Sequence, residues 1–271
     1  MIIKYYHPYW GMEHMPMENF LEKICSSGFD GAEIALDPDK DDLYGIRELC
    51  NRYGLDLLVQ HPFAKGKTPG EHLTDYLYKL ERLIHMQPVK INCHTGKDYY
   101  SMEENAPFIE GAAHLAQKYG VKVSHEIHRG RFSFCPSLIG GYLSAFPDLA
   151  LTADFSHWCV VSESLLEDQQ ETMDKVFPHC THIHARVGFA QGPQVPNPAA
   201  PEYAWALQTH LQWWQRILEL HKDKERTELT ITCEFGPPPY MPCLPFSRQP
   251  IGSQYEMNVF VKNYLSQHLI V

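Results

Sequence analysis

The feature that most constrains this chain is an alternation repeated eight times: a short apolar or period-two run, followed by a longer stretch before the next run. The short runs are Ile2–Tyr6, Gly31–Leu36, Leu55–His61, Val89–His94, Val121–His128, Leu149–Phe155, Thr181–Val187 and Leu229–Phe235. Amphipathic stretches between them include Glu18–Ser26, Leu43–Tyr53, Glu71–His85, Glu103–Tyr119 and Leu207–His221. Two of these close on a glycine before the next run, as Tyr53-Gly54-Leu55 and Tyr119-Gly120-Val121, the usual end of a helix. Strands separated by crossover helices pair in parallel. Eight such units predict closure into a (β/α)8 TIM barrel, a single domain over residues 1–271. The rival, an open doubly wound sheet, would carry a glycine-rich phosphate turn after its first strand, and His7-Pro8-Tyr9-Trp10-Gly11 is not one.

Composition narrows the class. The formal charge is −10, from 33 acidic and 23 basic residues, and the longest basic cluster is His128-Arg129-Gly130-Arg131. Nucleic-acid binding normally needs a basic footprint, so no nucleic-acid partner is expected. No apolar stretch approaches the ~20 residues of a membrane helix, and no membrane partner is expected. The start, Met1-Ile2-Ile3-Lys4, lacks the apolar core of a secretory signal, and the eight cysteines form no C-x-x-C pair. Both readings lead to the expectation of a cytoplasmic protein whose cysteines fill the core as small hydrophobes.

Strand parity then locates the polar groups. Successive side chains of a strand point to opposite faces, so every second residue of a barrel strand faces inward. With the apolar residues of each run against the helices, the inward set is Glu33 in the second strand and Asn92 and His94 in the fourth. It continues with Ser124, Glu126 and His128, then Thr152 and Asp154, then His182, His184 and Arg186, and ends with Thr230, Thr232 and Glu234. Glu126, Asp154, His184 and Glu234 therefore come from four consecutive strands and line one arc of the barrel mouth. Carboxylates converging on one cavity repel each other and resist burial unpaired, and a cation removes both costs. Three carboxylates and one imidazole suit one divalent metal ion: Mn, Mg, Co or Zn.

The order and phase of these residues resemble the xylose-isomerase-like barrels, the superfamily of sugar phosphate isomerases and epimerases that also holds apurinic endonucleases. Gly28-Phe29-Asp30-Gly31-Ala32-Glu33 resembles the entry to the second strand, and His125-Glu126-Ile127-His128 the first metal ligand. Asp154-Phe155-Ser156-His157 is similar to the D-x-x-H element, His182-Ile183-His184 to the H-x-H element, and Cys233-Glu234 to the closing glutamate. The resemblance implies Glu126, Asp154, His184 and Glu234 as metal ligands and His157 as a substrate contact. It also implies a sugar or sugar-derivative substrate and assembly into homo-oligomers. His61 and His94 match histidines of the endonuclease branch, but that branch's D-x-H pair is missing from Ala185–Pro193.

The chemistry expected is proton transfer beside a carbonyl, through a metal-stabilised enediolate, with Glu126 and Glu234 as the catalytic pair. His157 and Arg186 would hold substrate oxygens, with Arg186 alternatively bridging to a ligand carboxylate. His94 and His61 would bind substrate, brace the mouth or support a second ion, and Glu33 would anchor a hydroxyl or pair with a nearby base. Loss of a β-leaving group after the same abstraction gives a lyase or dehydratase on a keto-sugar or keto-glycoside as the alternative. An endonuclease or a non-catalytic sugar-binding protein are the remaining readings, and the last would not need two opposed glutamates. The proline-rich segments Phe189–Glu202 and Gly236–Gln249 should shape the pocket, while Tyr6, Trp10, Trp158 and Phe189 either stack on a sugar or pack the barrel.

Overall fold

The computed structural model describes residues 1–271. Its strands are β1 (Ile2–Pro8), β2 (Gly31–Ala35), β3 (Asp56–His61), β4 (Lys90–Cys93), β5 (Val123–Glu126), β6 (Leu151–Ala153), β7 (Cys180–His184) and β8 (Glu228–Thr232). They close in sequence order into a parallel barrel in which β8 pairs with β1. Around it run α1 (Met17–Ser26), α2 (Leu43–Arg52), α3 (Pro69–Ile84), α4 (Met102–Tyr119), α5 (Pro136–Ala145), α6 (Phe155–Val161), α7 (Gln170–Val176), α8 (Ala204–Asp223) and α9 (Gln254–His268).

Local signals set the helix ends. Asp42 caps α2 and Thr68 caps α3 through their side chains. Ser101 and Glu104 form a reciprocal capping box at the start of α4, and Gly120 ends it in the left-handed region at φ 69°. The fifth and sixth strands are shorter than the apolar runs suggest. In the sixth, Asp154 leaves the ladder to cap α6, its Oδ1 accepting from the Ser156 N–H at 3.2 Å.

Two concentric packings follow from strand parity. Ala32, Ile34, Leu57, Val59, Ile91, Cys93, Leu151, Ala153, Ile183, Leu229 and Ile231 point outward into an apolar cluster of 60 buried residues shared with the helices. The barrel interior is instead largely polar and internally hydrogen-bonded. The Lys90 ammonium donates to the Thr181 carbonyl and to Thr230 Oγ1 (3.0 Å), and Ser124 Oγ lies 2.8 Å from Thr152 Oγ1. His182 Nδ1 sits 2.8 Å from Thr230 Oγ1. Polar groups out of water need such partners, so this interior acts as a rigid plug beneath the mouth.

The cysteines are all free, but core filling describes only Cys50, Cys93, Cys159, Cys180 and Cys233. Cys25 is exposed on the outer face of α1, and Cys135 and Cys243 are half-buried in loop regions, where no core exists to receive them.

Candidate metal centre

The C-terminal ends of the last four strands deliver four side chains to one point. Glu126 ends β5, Asp154 follows β6, His184 ends β7 and Glu234 lies just past β8. One donor atom from each falls within 4.8 Å of all the others, and all four residues are buried. Burial raises the Glu126 carboxyl above its ordinary range and raises Asp154 to about 7. Burial works against ionisation of Glu234 as well, but the charges of His184 and Arg186 hold it down to about 2. His184 is opposed by burial too, yet the carboxylates of Glu234, Glu33 and Glu126 hold it well above its ordinary value.

Two observations favour a cation here. His184 Nδ1 and Glu234 Oε2 approach to 2.7 Å, yet neither has a hydrogen-bond partner. Two buried polar atoms that converge without bonding are what a shared third partner would leave. Glu33, Glu126, Asp154 and Glu234 also crowd four carboxyl groups around one imidazole and one guanidinium, an arrangement that a cation would stabilise out of water. The residues fit a divalent ion held by three oxygens and one nitrogen.

A second layer fixes the four. Glu33 Oε1 lies 3.0 Å from His184 Nε2, which leaves Nδ1 toward the other three. A carboxylate behind a histidine sets tautomer and ring orientation in this way. Glu33 is held in turn by Thr232 Oγ1 and by His182 Nε2 at 3.3 Å. Asn92 Nδ2 donates to Glu126 Oε2 at 2.6 Å, and Gln60 Nε2 donates to Glu234 Oε1 at 2.9 Å. Arg186 pairs with Asp154, stands 3.6 Å from Glu234 Oε2 and donates to Ser156 Oγ at 3.1 Å.

Above the four residues opens a cavity of about 570 Å³, within the range of small-molecule sites. Glu126, Glu234 and Arg186 form its floor, and Trp10, Phe63 and Tyr240 form part of its wall. Gly236 is required beside Trp10, because a methyl group there would overlap the indole.

The remaining expected site residues divide. His94 lines the cavity with its Nε2 3.0 Å from Glu126 Oε2, and with Glu126 and His128 it makes a second group of converging donors. His157 is fully buried behind the wall, its Nε2 2.9 Å from Arg186 Nη2, so its contact is with Arg186. Glu33 is also fully enclosed, below the cavity, and its partner is His184; it does not reach a substrate hydroxyl. His61 points away from the barrel interior. It stacks on Tyr76 of α3 with its Nε2 3.0 Å from the Tyr76 carbonyl, because β3 turns Gln60 inward and its neighbour outward. Of the four aromatics singled out in the sequence, Tyr6, Trp10, Trp158 and Phe189, Trp10 alone lines this cavity. Trp158 and Phe189 pack in or against the apolar cluster, and Tyr6 lies inside the barrel with its hydroxyl on Asp56. Gln60 and Tyr240 escaped the sequence reading; the parity of Leu58-Val59-Gln60 would have found the first.

No protein-family model and no curated protein matches this sequence. Solved structures do. A D-allulose 3-epimerase from Methylomonas sp., in complex with D-allulose, superposes with a TM-score of 0.65 at 13% identity over 98% of this chain and 97% of that one. A 3-keto-D-glucoside 4-epimerase from E. coli gives 0.61 at 11% identity over 98% and 100%. The chain has the fold of the xylose-isomerase-like barrels. That fold also covers a family 2 AP endonuclease from Brucella melitensis, with a TM-score of 0.61 at 14% identity over 97% and 98%. The xylose-isomerase-like architecture therefore leaves the choice between sugar and DNA chemistry to the side chains. Here the mouth carries acidic residues at Glu13, Asp37 and Asp41, and His61 is withdrawn from it.

Proposed function

We propose that this chain is a divalent-metal-dependent sugar isomerase or epimerase that removes a proton from the carbon next to a carbonyl. The observation that carries the reading is the convergence of Glu126, Asp154, His184 and Glu234, of which Glu126 and Glu234 line a cavity of sugar size. Its fold is shared with epimerases that act on a ketose and on a keto-glucoside, which supports the same class of substrate.

A bound ion would be held by these four residues and would supply Lewis-acid stabilisation of negative charge on the substrate oxygens. The chain's own groups do the rest. β5 and β8 are separated by β6 and β7 around the ring, so Glu126 and Glu234 reach the substrate from different sides. Asn92 and His94 both contact Glu126 Oε2, which leaves Oε1 without a protein hydrogen bond and available to take the α-proton. Glu234, positioned by Gln60, is the second proton carrier, facing the substrate from the other side in an epimerisation. Movement of the proton to the adjacent carbon gives an isomerisation. Arg186, at the cavity floor, adds positive charge beside the oxygens that become negative. Burial keeps bulk water from quenching the carbanionic state.

Incubation of the metal-loaded protein in heavy water with a panel of ketoses tests this. Deuterium uptake next to the carbonyl, abolished in Glu126→Gln, is the expected result, and product analysis separates isomerisation or epimerisation from loss of a leaving group. Absence of exchange across neutral and acidic ketoses would refute the reading.

A further inference from the structure

The two proline-rich loops meet beside the mouth, and the Gln194 side chain locks them by bonding both the N–H and the carbonyl of Gly236. Between them lies a second cavity of about 370 Å³, and Tyr240 lines both cavities. Its walls are prolines, Phe189, Gly192, Gln191 and Gln194, and its single charged side chain is Arg129.

Arg129 is half-buried and has no carboxylate partner. Its Nε donates to His157 Nδ1 at 3.0 Å, one Nη2 proton reaches the Tyr240 hydroxyl at 3.4 Å, and its guanidinium carbon lies 5.7 Å from the Tyr240 ring centre. A guanidinium offers five N–H donors in a fork that matches a two-oxygen anion. Nη1 and half of Nη2 remain unused. Arg186 is the contrast: it lies 4.8 Å from the same Tyr240 ring but is ion-paired with Asp154, stands 3.6 Å from Glu234 Oε2 and donates to Ser156. Across the main cavity the rim is acidic at Glu13, Asp37 and Asp41, and Lys40 there is held 3.4 Å from Asp37. The pocket is thus polarised, with excess negative charge on the β1–β2 side and an unpaired cation under the β7 and β8 loops.

We propose that the cavity beside Arg129 is a subsite for an acidic substituent of the substrate, a carboxylate or a phosphate. The substrate is then an acidic sugar derivative. Its charged end lies under the proline-rich loops, and its reacting carbons face Glu126 and Glu234. This inference rests on the isomerase or epimerase reading for the reaction, but not for the binding.

Calorimetric binding of D-fructose, D-fructose 6-phosphate and D-glucuronate to the metal-loaded protein, run beside deuterium exchange, tests it. The expected result is about tenfold or tighter binding of one acidic probe over D-fructose, roughly a single charge-assisted contact. Which acidic probe gains identifies the anion. That preference falls toward one in Arg129→Gln and is partly kept in Arg129→Lys. Raising salt from about 50 mM to about 0.5 M weakens the acidic probe selectively, a readout that needs no variant. Equal binding of neutral and acidic probes by wild type, or a preference that survives Arg129→Gln, overturns the subsite. An acidic preference without deuterium uptake upholds the subsite and sinks the reaction; uptake with no acidic preference does the reverse.

Discussion

Glu33 Oε1 stands 3.0 Å from Nε2 of His184, while the other ring nitrogen of His184 faces Glu234 Oε2 at 2.7 Å. One imidazole therefore links a fully buried carboxylate inside the barrel to the converging donors at its mouth. Burial would raise the Glu33 carboxyl, but the charge of His184 and hydrogen bonds from His182 and His184 hold it well below the usual range.

Glu33→Gln should keep the barrel and loosen the metal. Loss of a carboxylate behind a ligating histidine typically costs about 10–100-fold in affinity. Competition against a chelating dye measures this, and unchanged affinity would show that Glu33 only packs.

Gln60 and His61 are adjacent and should behave oppositely. Gln60→Ala removes a donor from Glu234 and should lower kcat by about tenfold, with stability changed by only ~1 kcal/mol. His61→Leu removes the bond to the Tyr76 carbonyl inside the packed α3 interface and should cost ~1–3 kcal/mol in denaturant melts with KM unchanged. A shift in KM for His61→Leu would return that histidine to the cavity.

These two residues also show how far the sequence could be read. Parity converts position along a strand into inside or outside, and it turns Asp154, His184 and Glu234 toward the barrel mouth, where their donor atoms converge. In Leu58-Val59-Gln60-His61 the same parity turns the glutamine inward to Glu234 and the histidine outward to Tyr76. Parity also says nothing about depth. Glu33 pairs level with Leu58 in the ladder, two residues below Gln60, so it meets His184 from beneath and no substrate reaches it. The lock between Gln194 and Gly236, and the place of Tyr240 between Arg186 and Arg129, join residues far apart in the chain. No local pattern encodes them.

Lys90 gives a test of the barrel interior independent of the site. Burial pushes its ammonium from 10.5 down to about 7. The folded state therefore binds fewer protons than the unfolded state between those values, so stability gains as pH rises from about 7 toward 10.5. Between about pH 6 and pH 9 the gain should be on the order of 2 kcal/mol. Lys90→Met should remove that increment from denaturation curves taken at both pH values; an unchanged increment would mean that the ammonium is not the group titrating.

The central claim is that Glu126, Asp154, His184 and Glu234 hold a metal ion. Elemental analysis of the purified wild-type protein, beside Asp154→Asn and Glu234→Gln, tests it most directly. The account predicts about one divalent ion per folded chain in the wild type and a marked loss in each variant, with the circular dichroism of the barrel retained. A wild-type protein that takes up no divalent ion when supplied with Mn, Mg, Co or Zn, or variants that keep the full complement, would contradict it.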